Sequence, residues 1–401
     1  MLRRMGLLAR LIRYTIVACA ISSVAACSAP PPLRTDGKPS GRIEVTPLKT
    51  CSPLHSNVLL RLAGVKGISA GNSIDCYRIV YPSTDADGRP IQLSGLLALP
   101  HERPARGLVS FQHGTTSNRD FVPSRLSTDG LAAAIVFAGK GYATIAPDYE
   151  GLGVSAGPHT YYVAAATARA VADMIHAVRH IHGVPASPPF LMGFSEGGYA
   201  SLAAQRALEA SGETVLADAA VAGAFNLRAI SIGWTLRGAS PNASTYLALW
   251  VRGYATRYGH PLDTAFTPEY ARLAPQLFDT PHSVAEVVKA LPRDPRALFR
   301  PEVLNALDGQ GHHWLVDALA ENEMGDWAAK APIRLYYATR DIDVLPAEAV
   351  TTARQMTARG SHVEAVNVGA VDHEQSIIIA APMVLDWLRR LAAGRRQVSP
   401  A

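Results

Sequence analysis

A strand-forming run, Pro189-Phe190-Leu191-Met192, meets a helix-forming one, Tyr199 to Leu208, across only Gly193-Phe194-Ser195-Glu196-Gly197-Gly198. So short a junction turns the chain sharply from strand to helix. Side chains at the two glycine positions flanking the serine would collide with the adjoining strand and helix, and the serine between them must take strained backbone angles. Its hydroxyl is then held out in the open. With Gly and Ser each at about 7% of residues, a chain of this length holds a G-x-S-x-G pattern by chance roughly one time in ten. The neighbouring elements therefore carry the weight of the reading.

Those elements alternate. Four apolar runs, Leu108 to Gln112, Ala143 to Ala146, Pro189 to Met192 and Ala219 to Phe225, are separated by helical patterns at 131–140, 161–182 and 197–211. Short buried strands alternating with helices predict a mostly parallel sheet with helices on both faces, an α/β fold. Ahead of them Ile74 to Tyr81 and Ile91 to Pro100, joined by a turn rich in Asp, Gly and Pro, predict an antiparallel start. Ile333 to Tyr337 and His362 to Val368 resume the pattern, and a C-terminal helix is expected from near Ser376. Between Asn226 and Lys330 the rhythm breaks, over a stretch too long for a plain loop. It predicts an inserted helical cap. The expected organisation is a signal at 1–26, a tether and N-terminal segment at 27–70, a core at 71–225 and 331–401, and the cap at 226–330. Tyr246, Trp250, Tyr254 and Tyr258 recur every four residues along one side of a cap helix. They either pack the cap's own core or wall a substrate site.

With 48% hydrophobic and 18% charged residues in 401, the chain can bury a large core and is neither disordered nor polytopic. Residues 1–13 carry four arginines and no acid, and the apolar stretch from Tyr14 to Ile21 follows, as in an export signal. That stretch is well short of the roughly 20 residues that span a bilayer. Val24-Ala25-Ala26-Cys27 resembles a bacterial lipobox, in which the cysteine is lipidated, so an exported protein held in the cell envelope by a lipid on Cys27 is expected. Residues 28–41, rich in Pro, Gly and Ser, read as a flexible tether. Without residues 1–26 the formal net charge falls from +5 to +1, which leaves no basic excess to argue for nucleic acid. Of four cysteines, Cys51 and Cys76 remain as a candidate disulfide or as two buried thiols.

A serine hydroxyl is a poor nucleophile, and acyl transfer needs a base to take its proton and a third group to hold that base. In a strand-turn-helix serine site the partners follow in the order Ser, acid, His, each on a loop after a strand. This chain obeys the order: Asp341 and Asp343 follow the strand ending at Tyr337, and His373 follows the one ending at Val368. His373 is the candidate base. The candidate oxyanion donors are the backbone N–H of Glu196, at the helix start, and that of Thr115, in the loop His113-Gly114-Thr115-Thr116. His113 reads as a brace for that loop, and the Glu196 side chain as a negative charge suited to a helix N-terminus. No Cys or His spacing reads as a metal site, and no motif implies a cofactor.

Together these residues resemble the α/β-hydrolase superfamily, and within it the secreted lipase-like esterases, over most of the chain from Ile74 to Leu391. The more specific pieces are Phe111-Gln112-His113-Gly114-Thr115, Ala146-Pro147-Asp148-Tyr149-Glu150-Gly151-Leu152-Gly153, Gly157-Pro158-His159-Thr160-Tyr161 and Gly193-Phe194-Ser195-Glu196-Gly197-Gly198. Thr160 departs from the proline that relatives often carry there, which bears on pocket shape. The resemblance implies a serine carboxylester hydrolase, acting through an acyl-enzyme on a small-molecule ester or a lipid, with Ser195, His373 and an acid as its triad. It favours Asp341 over Asp343, because Asp341 stands three residues before Val344 and three after Ala338, a spacing similar to a G-x-x-D-x-x-V pattern with Ala338 in the glycine's place. It also implies that Tyr149 and His159 line the approach to the site, Asp148 and His159 being structural rather than catalytic. The rivals are an acyltransferase, a peptidase whose cap acids (Glu321, Glu323, Asp326) grip an amine, and a non-catalytic binding module on the same scaffold.

Overall fold

The structure, a computed structural model, describes residues 28–34 and 43–398. The signal segment and Cys27 lie outside the described residues. Nine strands form one sheet: β1 (Glu44–Cys51), β2 (Ile74–Thr84), β3 (Pro90–Pro100), β4 (Leu108–Gln112), β5 (Ala143–Pro147), β6 (Phe190–Phe194), β7 (Ala217–Val221), β8 (Ile333–Tyr337) and β9 (Val363–Asn367). Their order is β1-β2-β3-β5-β4-β6-β7-β8-β9. The pairs β1–β2, β2–β3 and β3–β5 are antiparallel. From β5 through β4 to β9 every pair is parallel.

Helix α1 (Pro53–Leu62) follows β1, and α2 (Thr128–Phe137), α3 (Ala164–Val178) and α4 (Glu196–Ala210) make the crossovers that parallel strands require. Every residue of β4, β5, β6 and β7 is buried, because helices cover both faces of this part of the sheet. That is why these strands read as unbroken apolar runs. β7 ends at Val221 rather than at Phe225, because the Phe225 and Asn226 N–H groups donate to Glu348 Oε2 (3.0 and 2.8 Å) instead of to a neighbouring strand.

The N-terminal segment departs from expectation. β1 and α1 lie inside the stretch read as tether and N-terminal segment, and the described part of the tether is docked. Ser28 O accepts from Thr50 N (2.9 Å), Pro31 O from the Tyr77 hydroxyl (2.9 Å) and Arg34 O from His182 N (3.0 Å). The expected Cys51–Cys76 disulfide is also corrected. Cys51 faces Ile74 and Cys76 faces Lys49, so the two sulfur-bearing residues are diagonal on adjacent strands. Diagonal residues sit roughly 7–8 Å apart, at or beyond the Cα separation a disulfide can span. Both are buried thiols in the structure.

Between β7 and β8 the chain winds a π-type turn at Leu227–Ser231 and then α5 (Ile232–Thr235), α6 (Ala243–Tyr258), α7 (Pro268–Asp279), α8 (Val284–Ala290), α9 (Pro301–Leu307) and α10 (Trp314–Glu321). One apolar cluster joins Leu247, Phe266 and Phe299 of this insertion to Tyr199 and Leu202 of α4 and Leu335 of β8. The insertion therefore shares its core with the sheet. The aromatic row of α6 divides: Tyr254 is buried and donates to Tyr162 O (3.1 Å), whereas Tyr246 and Trp250 line a cleft beside Ser195. Tyr254 and Tyr258 thus pack against the core, and Tyr246 and Trp250 face the cleft. α11 (Pro346–Ala358) and α12 (His373–Val398) complete the fold. Among the described residues no helix is long and apolar enough to cross a membrane.

Asp218, in the middle of β7, is wholly buried, and burial pushes its carboxyl up to about 8, against the lowering effect of the Ser201 hydroxyl and with a further push from Glu209. An unfolded aspartate loses its proton near 3.8. Between those values the folded state holds more protons than the unfolded one, so stability falls as pH rises through the window. Asp218→Asn removes this titration. It is expected to be more stable than wild type by at least about 1 kcal/mol at pH 9 and to show a flatter profile between pH 5 and 9, read from urea midpoints. Parallel profiles for the two proteins would contradict the assignment.

Candidate active site

Ser195 is the residue between β6 and α4, with φ 56° and ψ −119°, in the left-handed half of backbone space that non-glycine residues avoid. Two glycines make the turn feasible. A Cβ on Gly193 would lie 1.8 Å from Gly197 O, and one on Gly197 would lie 1.9 Å from Gln112 O at the end of β4. The Ser195 N–H donates to Val221 O at the end of β7 (2.8 Å), so the turn is clamped between the strands on either side.

His373, the first residue of α12, places Nε2 2.9 Å from Ser195 Oγ. Its Nδ1 lies 2.7 Å from Asp341 Oδ2. The other Asp341 oxygen accepts the N–H groups of Asp343 and Val344, both at 2.9 Å, which fixes the carboxylate in the turn after β8. All three side chains are buried. Burial by itself lowers the His373 pKa, but the hydrogen bond and charge of Asp341, with Asp343 and Glu374 adding, lift it to about 9. Asp343 does not reach the histidine. Its Oδ1 accepts from Ser240 (2.6 Å) and Tyr246 (2.9 Å), tying the turn after β8 to the insertion.

The loop after β4 reaches the same place. Gly114 packs on Phe194, where a Cβ would meet the ring at 3.3 Å, and Thr115 Oγ1 pairs with the Tyr161 hydroxyl at 2.9 Å. His113 braces this loop, stacked on Tyr149 with centroids 4.3 Å apart and bonded to Gly114 O at 2.7 Å. Asp148 is structural: its carboxylate accepts from Ser94 Oγ (2.5 Å) and Ser124 N (2.9 Å).

Tyr149 and His159, expected along the approach, are buried and are not among the residues lining the cleft at Ser195. Tyr149 is fully buried, with φ 72°, and donates to His113 O (3.1 Å). His159 stacks on it at 6.0 Å and holds Nε2 2.6 Å from Glu196 Oε1. The Glu196 side chain is thus one member of a buried His–Glu pair, not merely a charge at a helix end. Burial lowers the His159 pKa, yet the Glu196 charge and hydrogen bond outweigh it and the net shift is upward. No local signal connects two residues 37 positions apart, so the pair is invisible in sequence. The walls of the cleft on Ser195 are Tyr161, Tyr162, Trp234, Tyr246, Trp250 and Leu345. Tyr162 and Trp234 were not singled out by sequence, having no catalytic chemistry of their own. About 30 Å³ of this cleft is open to water-sized groups, room for roughly two waters.

The sequence profile of the family described as serine aminopeptidase, S33, matches residues 106–369. No curated protein matches the chain. Among solved structures, a Legionella pneumophila protein described as a hydrolase superimposes with a TM-score of 0.80 and 26% identity, over 90% of this chain and 99% of its own. The rice cell wall degrading esterase LipA of Xanthomonas oryzae gives 0.73 and 21%, over 88% and 97%. Candida antarctica lipase A in its closed state gives 0.64 and 15%, over 82% and 79%. At those identities the last two show a shared fold. With the strand order and the serine turn described above, the match over residues 106–369 places this chain in the serine aminopeptidase S33 family of α/β-hydrolases.

Proposed function

We propose that this chain is a serine hydrolase of carboxylic esters with a short acyl group, working through Ser195, His373 and Asp341. The observation that carries the reading is the continuous relay of 2.9 Å from Ser195 Oγ to His373 and 2.7 Å from His373 to Asp341. His373 takes the hydroxyl proton as Ser195 attacks the ester carbonyl, and returns it to the departing alcohol. Asp341 holds the tautomer that leaves Nε2 facing the serine, and stabilises the imidazolium. The Thr115 and Glu196 N–H groups receive the oxyanion. Water then cleaves the acyl-enzyme by the same steps.

Esters are favoured over peptides with a free amine because the acids on the cleft are already engaged. Asp343 accepts from two hydroxyls, and Glu348 accepts from Ser231, Asn226 and two backbone N–H groups. Of the cap acids, Glu323 accepts from Arg228 N and Asp326 pairs with Arg359. The aromatic walls and the narrow space beside Ser195 suit a short acyl chain. We also read Cys27 as lipidated and the enzyme as exported to the cell envelope, on the strength of Val24-Ala25-Ala26-Cys27 and the basic-apolar segment before it.

A fluorophosphonate probe is expected to modify Ser195 in the folded protein, and Ser195→Ala to lower kcat for p-nitrophenyl acetate and butyrate at least about 10³-fold. Activity retained in Ser195→Ala would end the proposal, and a preference for acyl chains of eight or more carbons would remove its short-chain part. Because the base must be unprotonated, kcat/KM should climb with pH towards the raised His373 value. Asp341→Asn removes the main cause of that rise. Its limb is expected at lower pH and its plateau lower by about 10³- to 10⁴-fold, while Asp343→Asn stays within about tenfold of wild type. A larger loss in Asp343→Asn than in Asp341→Asn would reverse the assignment of the acid.

A further inference from the structure

We propose that the outer face of α1, continued by a neighbouring stripe of α12, seats the enzyme on the surface of the lipid bilayer that holds Cys27. The inference rests on the reading of Cys27 as a lipid anchor. α1 buries His55, Ser56, Leu59 and Leu60 against the core. Its opposite side presents Leu54, Val58 and Leu62, with relative exposures of 78%, 48% and 40%. Residues four apart share one side of a helix, so the three form a single apolar stripe. On α12, Ile379 and Met383, also four apart, are each 37% exposed. The loop that follows α1 reaches α12, where a Cβ on Gly67 would lie 3.8 Å from Pro382 Cβ, one residue from Met383.

What covers this face is indicated by the chain itself. Ser28 O is bonded to Thr50 N at 2.9 Å, and Thr50 stands three residues before the start of α1. Cys27 is joined to Ser28 by one peptide bond, about 3.8 Å between Cα atoms. Ser28, the residue after Cys27 in sequence, is thus held beside the N-terminal end of α1, where Leu54 is the most exposed of the stripe. With residues 28–34 docked, little slack separates the lipid from the fold. The stripe is expected to add its own apolar contact with the acyl region of the bilayer, independent of the anchor.

The charges around the face fit an anionic lipid surface. Arg61 and Lys66 are exposed on and just after α1. Lys140 Nζ reaches Ser69 Oγ at 3.4 Å, and its pKa is lowered by burial first and by the Arg389 charge second. Asp386, on the same turn of α12 as Met383, is paired with Arg390. Basic side chains of this kind add attraction to acidic headgroups.

Every strand and helix described lies within residues 43–398, so the chain from Ser28 onward, lacking the signal and Cys27, tests the face alone. It is to be mixed with vesicles of phosphatidylcholine and phosphatidylglycerol and sedimented, beside a variant carrying Leu54→Ser, Val58→Ser and Leu62→Ser. The expected result is partitioning that falls at least about tenfold in the triple variant, with hydrolysis of a soluble ester unchanged in both. Equal partitioning of the two proteins would overturn the proposal. So would a stripe-dependent dimer in solution without vesicle binding, which assigns the face to a second copy. Stripe-dependent binding in a protein whose Cys27 takes up no acyl label in cells would support the face and refute the anchor.

Discussion

The contact on which the site depends is the approach of Gly197 to the carbonyl of Gln112. A Cβ on Gly197 would stand 1.9 Å from that oxygen, so β6, the serine turn and α4 come this near to β4 only because the residue is glycine. The Ser195 N–H bond to Val221 O closes the turn from the other side. Held between β4 and β7, Ser195 keeps backbone angles that a free chain would abandon. The same approach brings the His113–Thr115 loop next to the serine turn, where Gly114 packs on Phe194. One close packing event therefore fixes both the serine turn and the loop that approaches it.

Two buried histidine–carboxylate pairs flank that serine, and their roles differ by what they touch. His373 bonds both Ser195 Oγ and Asp341, and so has a path for a proton. His159 bonds Glu196 and the Glu150 carbonyl, and has none. Its place is structural: a carboxylate buried one residue from Ser195 and left without a partner is costly, and His159 supplies that partner. The stack of His113 on Tyr149 and of Tyr149 on His159 links this pair to the loop after β4. Rigidity on both sides of the serine thus comes from one connected set of side chains.

Much of this was legible in sequence where local pattern and tertiary environment agree. β4 and β8 occupy the residues expected of them, because a strand buried on both faces is apolar at nearly every position. Ser195 and the acids after β8 were legible for a related reason, since each follows such a strand, whereas His373 follows β9, an edge strand with no fully buried residue, and is legible from its place in the order after the acids. β1 was not. Its exposed positions and its proline give an edge strand no apolar alternation, and it is held by pairing with β2. The docking of residues 28–34 depends likewise on partners at Thr50, Tyr77 and His182 that no local pattern announces. The Cys51–Cys76 expectation failed on register, which spacing along the chain cannot supply. Tyr149 and His159 sat in a segment expected to face substrate, whereas the aromatic residues that do face the cleft come from Tyr161, Tyr162 and the insertion.

The central claim is that Ser195 and His373 act as one unit on the carbonyl of an ester. The most direct measurement is kcat/KM for a short p-nitrophenyl ester in Ser195→Ala, His373→Ala and the double variant. Residues that share a single proton transfer are strongly non-additive, so the double variant is expected to lose about as much as either single one. Losses that multiply, with the double variant falling by the product of the two, would show that the two side chains act independently and would contradict the account.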